Sequence, residues 1–409
     1  MKYAFLICTL FAGTTIAQPR KDLPISMAKG FAASIMTTYP DSIVSKKFLQ
    51  HMLQDKEGTD PEKRRAVWNY EEAVTLKGID RLWRKTGDDR YFTYMKKIMD
   101  HFIEEDGTIR TYLPLEYNSD QLTGGLILLT LYEKTRTPKY KQALDHLWEQ
   151  IQWQPRTKQG GFWHKYKYPY QMWLDGAFML DYFYASYARA FNKDVFSDVA
   201  NQLIWMNDHL RDPATGLLYH GWDESKKQPW SDPITGRSPE VWSRSMGWYI
   251  MALADIIEIF PTDHPKRKDL VRILQQTMDA LKAYQDTPSG VWYQIVNKGG
   301  KQANYLEASG SVMFTYALAK GINRGYLPAS LKPMLIKAYQ GLLNTFITID
   351  ERGLPHVHQS CSGAGLGGTP YRSGSYEYYV NEPRRSDDLK TIGPLISLFL
   401  EMEQLKPRM

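Results

Sequence analysis

The stretch that decides the fold is residues 170–191, YQMWLDGAFMLDYFYASYARAF, in which an aromatic-rich loop runs directly into a strongly apolar helix. One aspartate, Asp175, stands where the loop meets the helix. A join of this kind recurs along the chain, which indicates an internal structural repeat. The joins are Tyr117–Thr123, Tyr170–Gly176, Val241–Trp248, Ala303–Ser309 and Asn381–Leu389, and Ala66–Glu72 opens the series without a glycine-rich lead-in.

Two kinds of predicted helix alternate between these joins. Amphipathic helices with a charged face are expected to meet water, whereas helices that are apolar nearly all round are expected to be buried. The amphipathic set is Leu23–Thr38, Arg90–Phe102, Pro138–Gln152, Lys193–Leu210, Pro265–Tyr284 and Pro328–Phe346. The apolar set is Tyr70–Trp83, Asp120–Lys134, Leu174–Phe191, Ser243–Ile259, Leu306–Ile322 and Asp388–Glu403. This alternation predicts an all-α fold, a closed double ring of helical hairpins called an (α/α)6 barrel.

The connections between the helices have two lengths. Turns from an apolar helix to the next amphipathic one are short, as at Lys85–Asp89, whereas the return loops are long, as at Trp153–Trp173. Long loops inside a compact domain are usually functional. Several begin with glycine beside an aromatic or apolar residue, as at Gly161-Phe162 and Gly353-Leu354, which predicts short β-hairpins. In a double ring these loops meet at the N-terminal ends of the inner helices, where we expect the active site.

Length, charge and cysteine content set the class of protein. The chain has 409 residues and a formal net charge of +6, and its scattered basic residues do not suit a nucleic-acid partner. Lys2, the apolar segment Ala4–Ala12 and Ala17 predict a signal peptide over residues 1–17, followed by one catalytic domain over 18–409. The apolar segment is too short to span a membrane, so we expect an exported protein, periplasmic or secreted. After cleavage Cys361 is the sole cysteine, interpreted as an inert thiol.

Two aspartates lie at corresponding starts of adjacent inner helices, Asp120 and Asp175. An aspartate at a helix start commonly caps the helix, which is the simpler interpretation of both residues. The apolar flanks of Asp175 favour the raised pKa that a general acid requires. Repulsion between two nearby carboxylates would also raise one pKa and leave the other group ionised. Both interpretations are open from the residues alone.

Further polar residues are predicted on the same face, together with Tyr70 and Glu307. Arg244 lies between Trp242 and Trp248, where a guanidinium could bind a carboxylate in a fork, although a structural ion pair is the commoner role. His164 and His220 lie in the long loops and serve either packing or binding. Aromatic residues of the loops are expected to stack on sugar faces. They are Tyr166, Tyr168, Trp222, Trp230, Trp292 and Tyr371.

No metal or cofactor is expected. The chain has no HExxH motif and no paired cysteines, and His356-Val357-His358 lacks acids nearby in the sequence. It has no GxSxG motif for a serine nucleophile. The glycine-dense segment Gly363–Thr369 lacks the lysine of a phosphate-binding loop, which favours a lid or close backbone packing near a ligand.

The chain resembles the unsaturated rhamnogalacturonyl hydrolases, glycoside hydrolase family 105. The resemblance extends over nearly the whole mature chain, and it depends on several short motifs that occur in order. They are Trp163-His164-Lys165, Gln171-Met172-Trp173-Leu174-Asp175-Gly176, His220-Gly221-Trp222, Trp242-Ser243-Arg244-Ser245-Met246-Gly247-Trp248 and Gly374-Ser375-Tyr376-Glu377-Tyr378-Tyr379. Members of this family have an (α/α)6 barrel, in agreement with the helix pattern.

The resemblance implies an unusual glycosidase mechanism. The substrate is a Δ4,5-unsaturated uronic acid left by a lyase at a non-reducing end, and the enzyme hydrates its double bond. Asp175 matches the family's catalytic aspartate, which protonates C4 and helps water add at C5, and Asp120 matches a second aspartate that orients sugar or water. Positions that line the uronate pocket are matched by Tyr70, His164, Trp173, Trp242, Arg244 and Trp248, and His220 matches a binding or supporting histidine. No cofactor is implied.

Three alternatives remain at this point. The first is the related family that removes unsaturated glucuronyl ends from glycosaminoglycans. The second is an ordinary hydrolase or a lyase on the same barrel, and a lyase would need a base instead of a proton donor. The third is a non-catalytic exported sugar-binding protein, which would bind its ligand without turnover. The sugar next to the unsaturated residue and the oligomeric state are not determined by the sequence.

Overall fold

The computed structural model describes residues 23–43 and 67–405, and in this part of the chain six inner helices alternate with six outer ones. The inner helices are α2 (Tyr70–Thr86), α4 (Gly125–Thr135), α6 (Tyr182–Phe191), α8 (Ser243–Ile259), α10 (Ala308–Asn323) and α13 (Leu389–Leu405). The outer helices are α1 (Leu23–Thr38), α3 (Asp89–Asp100), α5 (Pro138–Trp153), α7 (Phe196–Leu210), α9 (Arg267–Ala283) and α11 (Lys332–Phe346). A short helix, α12 (Tyr376–Asn381), lies in the last long loop.

The inner helices form a closed ring. Each inner helix contacts the next one along the chain, and α13 contacts α2 to close the circle. The outer helices α3, α5, α7, α9 and α11 pack on the inner helices that precede them, and α1 packs on α13. The predicted (α/α)6 barrel is therefore confirmed.

The ring closes through two glycines that bring helix backbones into contact. A Cβ atom on Gly78 of α2 would lie 2.5 Å from the carbonyl oxygen of Gly393 on α13. A Cβ atom on Gly393 would lie 2.1 Å from the carbonyl oxygen of Val74. Real side chains do not tolerate such distances, so the residue type at these positions sets how closely α2 and α13 approach.

Two inner helices begin later than the sequence pattern predicts. A 3₁₀ turn, Ser119–Leu122, precedes α4, and a π-helical segment, Ala177–Asp181, precedes α6. Asp120 therefore lies in the 3₁₀ turn, and Asp175 lies in the turn between a strand and the π-helical segment. The apolar pattern continues through these turns, which is why it does not reveal the break in regular helix.

Short antiparallel strands join the long loops. The strand β1 (Gln171–Trp173) pairs with β2 (Gly221–Asp223), which belongs to the following loop. Within the last loop β3 (Ile347–Ile349) pairs with β4 (Pro355–Val357), and β5 (Ser360–Cys361) pairs with β6 (Arg384–Arg385). The predicted hairpin at Gly353-Leu354 is confirmed, whereas the pairing of β1 with β2 joins two different loops and was not predicted.

The inner helices carry a buried charge network, although their sequences suggested apolar surfaces nearly all round. Asp255 of α8 accepts hydrogen bonds from Arg81 of α2 and from Tyr316 and Lys320 of α10, each at 2.6 Å. Burial alone would raise the pKa of Asp255, but Arg81 and Lys320 outweigh it and hold that pKa below its ordinary value. The network links three inner helices within the barrel.

Two predictions concern export and the cysteine. The predicted signal peptide, residues 1–17, lies outside the described residues. Over residues 23–43 and 67–405 no helix combines the length and the apolar character that a membrane crossing needs. Cys361 is fully buried, and burial raises the pKa of its thiol, in agreement with an inert role.

Candidate active site

Two paired strands bring Asp175 and His220 together. The strand β1 leads into Asp175, and His220 directly precedes β2. Trp173 is the cross-strand partner of Gly221, and the N–H of Leu174 donates to the carbonyl of His220 at 3.0 Å. Gly221 allows this approach, because a Cβ there would lie 3.0 Å from the Trp173 indole. The pairing explains why two residues from different long loops share one site.

Asp175 does not cap its helix. The residue before the π-helical segment is Gly176, no side chain caps that segment, and only the backbone carbonyl of Asp175 accepts helical hydrogen bonds. The carboxylate faces His220, with Oδ2 3.2 Å from Nε2, but the two groups are not aligned for a hydrogen bond. Its side chain is 15% exposed, so a substrate can reach it. The capping interpretation of Asp175 is therefore wrong.

Asp120 is held as an anion by cations around it. Lys165 donates to Oδ2, and Nε2 of His164 lies 3.5 Å from Oδ1. Burial alone would raise the pKa of Asp120, but Lys165, with a smaller contribution from Lys167, outweighs it and holds that pKa below its ordinary value. Its backbone N–H is capped by the Asn118 side chain, so Asp120 does not serve as the cap. Asp120 is therefore ionised because of the cations beside it. Repulsion from Asp175 is not needed to explain its charge.

His164 is a buried, neutral ring that interacts electrostatically with both Asp120 and Asp175. Burial lowers the pKa of His164 to about 4, although Asp120 and Asp175 both act to raise it. Nδ1 lies 2.9 Å from the hydroxyl of Ser119, and the ring stacks on Trp173 with 4.6 Å between centroids. At neutral pH His164 is therefore an uncharged hydrogen-bonding group.

Arg244 lies deep in the wall of the site and remains a cation. Its Nε donates to Ser309 at 2.7 Å, and Nη2 donates to the carbonyl of Cys361. Burial acts to lower the pKa of Arg244, but Asp388 and Glu307 among its neighbours raise it above the ordinary value. The Nη1 atom is buried without a hydrogen-bond partner in the described part of the chain. Arg244 thus places a permanent positive charge behind the site.

Glu307 has a structural role. Its carboxylate caps α10 by accepting from the N–H groups of Ser309 and Gly310, and it also accepts from the N–H of Cys361 at 3.0 Å. It lies 3.8 Å from Nη2 of Arg244, so the two form an ion pair without a hydrogen bond. Glu307 is fully buried, so the expectation that it would face the opening is wrong.

The predicted tryptophans form the back of the site. Trp173, Trp242 and Trp248 are between 1% and 4% exposed. Trp242 lies 4.9 Å from the His220 ring, and Trp248 lies 6.4 Å from the ring of Tyr70, measured between centroids. Tyr70 is partly exposed and interacts electrostatically with Arg244 and Asp120. All nine predicted site residues therefore gather in one region, with Asp120, Asp175 and Tyr70 at its accessible surface.

The loop aromatics divide into two groups. Tyr166 and Tyr371 are 61% and 50% exposed, so they are available for stacking on a sugar. The others are buried, so their predicted role in stacking is wrong; they are Tyr168, Trp222, Trp230 and Trp292. Arg372, from the glycine-dense loop, donates to the Tyr168 hydroxyl at 2.6 Å and lies over the Trp173 ring.

The glycine-dense segment packs closely against Arg372. A Cβ atom on Gly365 would lie 2.1 Å from Nη1 of Arg372, and Nε of Arg372 donates to the carbonyl of Gly367 at 2.8 Å. Of the two predicted roles, the structure therefore supports close backbone packing beside the site.

Two residues of the site were missed by sequence reasoning. Lys165 stands within a quoted motif but was given no role, and it is the principal cation on Asp120. Tyr379 also stands within a quoted motif, and its hydroxyl lies 2.7 Å from Nδ1 of His220. Both residues lie in the sequence motifs that carry the resemblance, and this position was the signal that could have identified them.

Metal ligands are not assembled in the described residues. Over residues 23–43 and 67–405 no group of three or more His, Cys, Asp or Glu could hold a metal ion. His356 does have acids nearby in space, contrary to expectation, with Nδ1 2.8 Å from Asp387 and Nε2 3.6 Å from Asp350. Because the acids face opposite nitrogens of one ring, the arrangement is an ion-pair network.

Comparison with known proteins shows the family of the chain. The model of Glycosyl Hydrolase Family 88 matches residues 44–406. A solved glycoside hydrolase of family 105 from C. acetobutylicum ATCC 824 is 44% identical, with a TM-score of 0.83 and coverage of 92% of this chain and 99% of that chain. The unsaturated rhamnogalacturonyl hydrolase YesR of Bacillus subtilis is 27% identical over 62% of this chain and 70% of its own.

A more distant solved structure shares the fold. The unsaturated glucuronyl hydrolase of Bacillus sp. GL1 is 12% identical, with a TM-score of 0.64 and coverage of 94% of this chain and 97% of that chain.

Proposed function

Because the chain belongs to glycosyl hydrolase family 88, with a family 105 glycosidase among its relatives, we propose that it removes Δ4,5-unsaturated uronic acid from the non-reducing end of pectic rhamnogalacturonan oligosaccharides. The observation that carries this proposal is Asp175, an accessible carboxyl that caps no helix and faces His220. The relative named for rhamnogalacturonyl hydrolysis supports the choice of substrate.

The proposed reaction is hydration of the C4=C5 double bond. Asp175 in its acid form gives its proton to C4, and the electron pair of the double bond forms the new C4–H bond. The positive charge then rests on C5 and the ring oxygen, and a water molecule adds at C5 while Asp175 takes up a proton from it. The hemiketal formed opens, and the hemiacetal left at C1 releases the next sugar.

The neighbouring charges suit this reaction. Ionised Asp120 provides negative charge close to the cation that develops at C5 and the ring oxygen. Arg244 and Lys165 provide positive charge that favours an anionic uronate substrate over a neutral sugar. Neutral His164 supplies hydrogen bonding without adding a further charge. We therefore assign Asp120 to positioning sugar or water and Arg244 to attracting the uronate.

The direct test follows the double bond by its ultraviolet absorbance. Purified mature protein is incubated with lyase-generated unsaturated rhamnogalacturonan disaccharide, with unsaturated glucuronyl disaccharides in parallel. We expect absorbance to fall, and to fall fastest with the rhamnogalacturonan substrate. A faster reaction with a glucuronyl substrate would assign the protein to glycosaminoglycan or similar fragments. No loss with any of them, together with measurable binding, would favour the sugar-binding alternative.

Tyr166 is predicted to contact the sugar that leaves. It is exposed, it follows Lys165 directly, and its ring lies 6.2 Å from that of Tyr117, which precedes Asp120 in the same loop. Replacing Tyr166 by alanine should raise KM about 2- to 10-fold with little change in kcat, since stacking is worth about 0.5–1.5 kcal/mol. Steady-state kinetics would measure this change. Ile336→Ala, an exposed apolar truncation on the outer helix α11, is the control, and an equal KM in both variants would contradict the prediction.

A further inference from the structure

The site contains two buried polar atoms that face each other without bonding. Nε2 of His220 and Oδ2 of Asp175 are 3.2 Å apart, and within the described part of the chain neither has a hydrogen-bond partner. Unsatisfied buried polar atoms are uncommon and call for an explanation. Hydrogen bonds at catalytic sites are often poorly aligned before substrate binds and tighten along the reaction. The pair is therefore placed for an interaction that forms during catalysis.

The other nitrogen of His220 is bound by Tyr379. The hydroxyl of Tyr379 lies 2.7 Å from Nδ1, is fully buried, and has no second hydrogen-bond partner among residues 23–43 and 67–405. Burial raises the pKa of Tyr379 well above its ordinary value, so the hydroxyl keeps its proton. If Nδ1 carried the ring proton, that hydroxyl hydrogen would have no acceptor, which is costly in a buried site. The hydroxyl therefore donates to Nδ1, and in the neutral ring the proton is on Nε2.

The surrounding aromatic rings fix the orientation of His220. The Trp173 and Trp242 rings lie 5.2 Å and 4.9 Å from it, and the Trp242 ring lies 5.7 Å from that of Tyr379. The N–H of Tyr379 donates to the carbonyl of Ser375, which holds Tyr379 in α12. A ring enclosed on these sides keeps Nε2 toward Asp175 and Nδ1 toward Tyr379.

We propose that Tyr379 is a positioning residue that fixes His220 in the Nε2–H tautomer, so that His220 donates a hydrogen bond to the carboxylate that Asp175 becomes on protonating the substrate. The inference rests on the proposed function, because it assumes that Asp175 is the proton donor. No proton is transferred to or from His220, whose N–H only stabilises the new negative charge. The bond is charge-assisted and so is stronger in the transition state than before it.

The first test needs no substrate. Imidazole ¹⁵N chemical shifts distinguish a protonated from an unprotonated ring nitrogen, and His220→Gln identifies the His220 signals by difference. We expect an Nε2–H tautomer in the wild type and a shift toward Nδ1–H in Tyr379→Phe. A wild-type Nδ1–H tautomer, or an unchanged spectrum in Tyr379→Phe, would overturn the proposal. This measurement holds even if the natural substrate differs from the one proposed.

The second test is kinetic. Tyr379→Phe should lower kcat about 10- to 100-fold, in the range for residues that orient a catalytic group, with KM within about 2-fold. The double variant Tyr379→Phe/His220→Gln should be no slower than His220→Gln alone, because both changes remove one interaction. Tyr249→Phe, which removes another buried hydroxyl that donates to a backbone carbonyl, is the control. Additive losses in the double variant, or a kcat equal to that of the control, would refute the role of Tyr379.

Discussion

Replacing Asp175 by asparagine is expected to lower kcat by about 10²- to 10⁴-fold while KM changes only a few-fold. Asparagine has nearly the same shape but cannot give a proton to C4 or take one from water. The carboxyl neither caps a helix nor forms an ion pair with Lys or Arg in the described residues, so its loss should not disturb the fold. Initial rates of absorbance loss across a range of substrate concentrations would measure the effect.

The control for this experiment is Asp41→Asn, an identical change at a side chain that is 78% exposed. It should leave kcat and KM unchanged, and thermal unfolding of both variants should resemble that of the wild type. A lyase that uses a base elsewhere would keep much of its activity in Asp175→Asn. Retention of more than about a tenth of kcat would therefore count against Asp175 as the proton donor.

The second large effect is expected on stability. Replacing Asp255 by asparagine should cost about 3–5 kcal/mol, because Arg81 would remain buried without its counter-charge and Lys320 would keep only Glu258 as an ion-pair partner. The contribution of Asp255 depends on pH in a defined direction. Since its folded pKa lies below the ordinary value of about 3.9, the contribution is complete above about pH 4 and is lost as the pH falls further.

Chemical denaturation and thermal unfolding would measure this change. Asp41→Asn serves again as the control, because it removes an exposed ion pair with Lys97 and such pairs are worth about 0–1 kcal/mol. If Asp255→Asn unfolds at the same denaturant concentration as the control, the network within the barrel is not a source of stability.

Asp255 and Asp175 show that the surroundings of an aspartate decide whether it stabilises the fold or takes part in the reaction. Asp255 accepts three hydrogen bonds, two of them from cations, whereas Asp175 has one buried oxygen without a partner. A carboxylate whose oxygens are all bound to cations is a poor proton donor. A carboxyl left unpaired at an accessible surface can exchange its proton with a substrate.

Much of the helical framework could be predicted from local sequence. The predicted bounds of α1 and α8 agree with the structure, because apolar periodicity is a property of neighbouring residues. The starts of α4 and α6 were wrong, because the 3₁₀ turn and the π-helical segment keep the same apolar composition. The candidate site could also be predicted in part from the local sequence. Asp120 and Asp175 mark the joins, but nothing local showed which of them carries a counter-ion.

The sequence by itself determined the alternation of buried and exposed helices, and with it the barrel and the face that carries the site. These features depend on the order of apolar and polar residues along the chain. Only the tertiary structure decided that Lys165 holds Asp120 ionised, that Glu307 is a buried cap, and that Tyr379 reaches His220. Each of these depends on distances of a few ångströms between residues far apart in the chain, and such distances are set by the packing of loops.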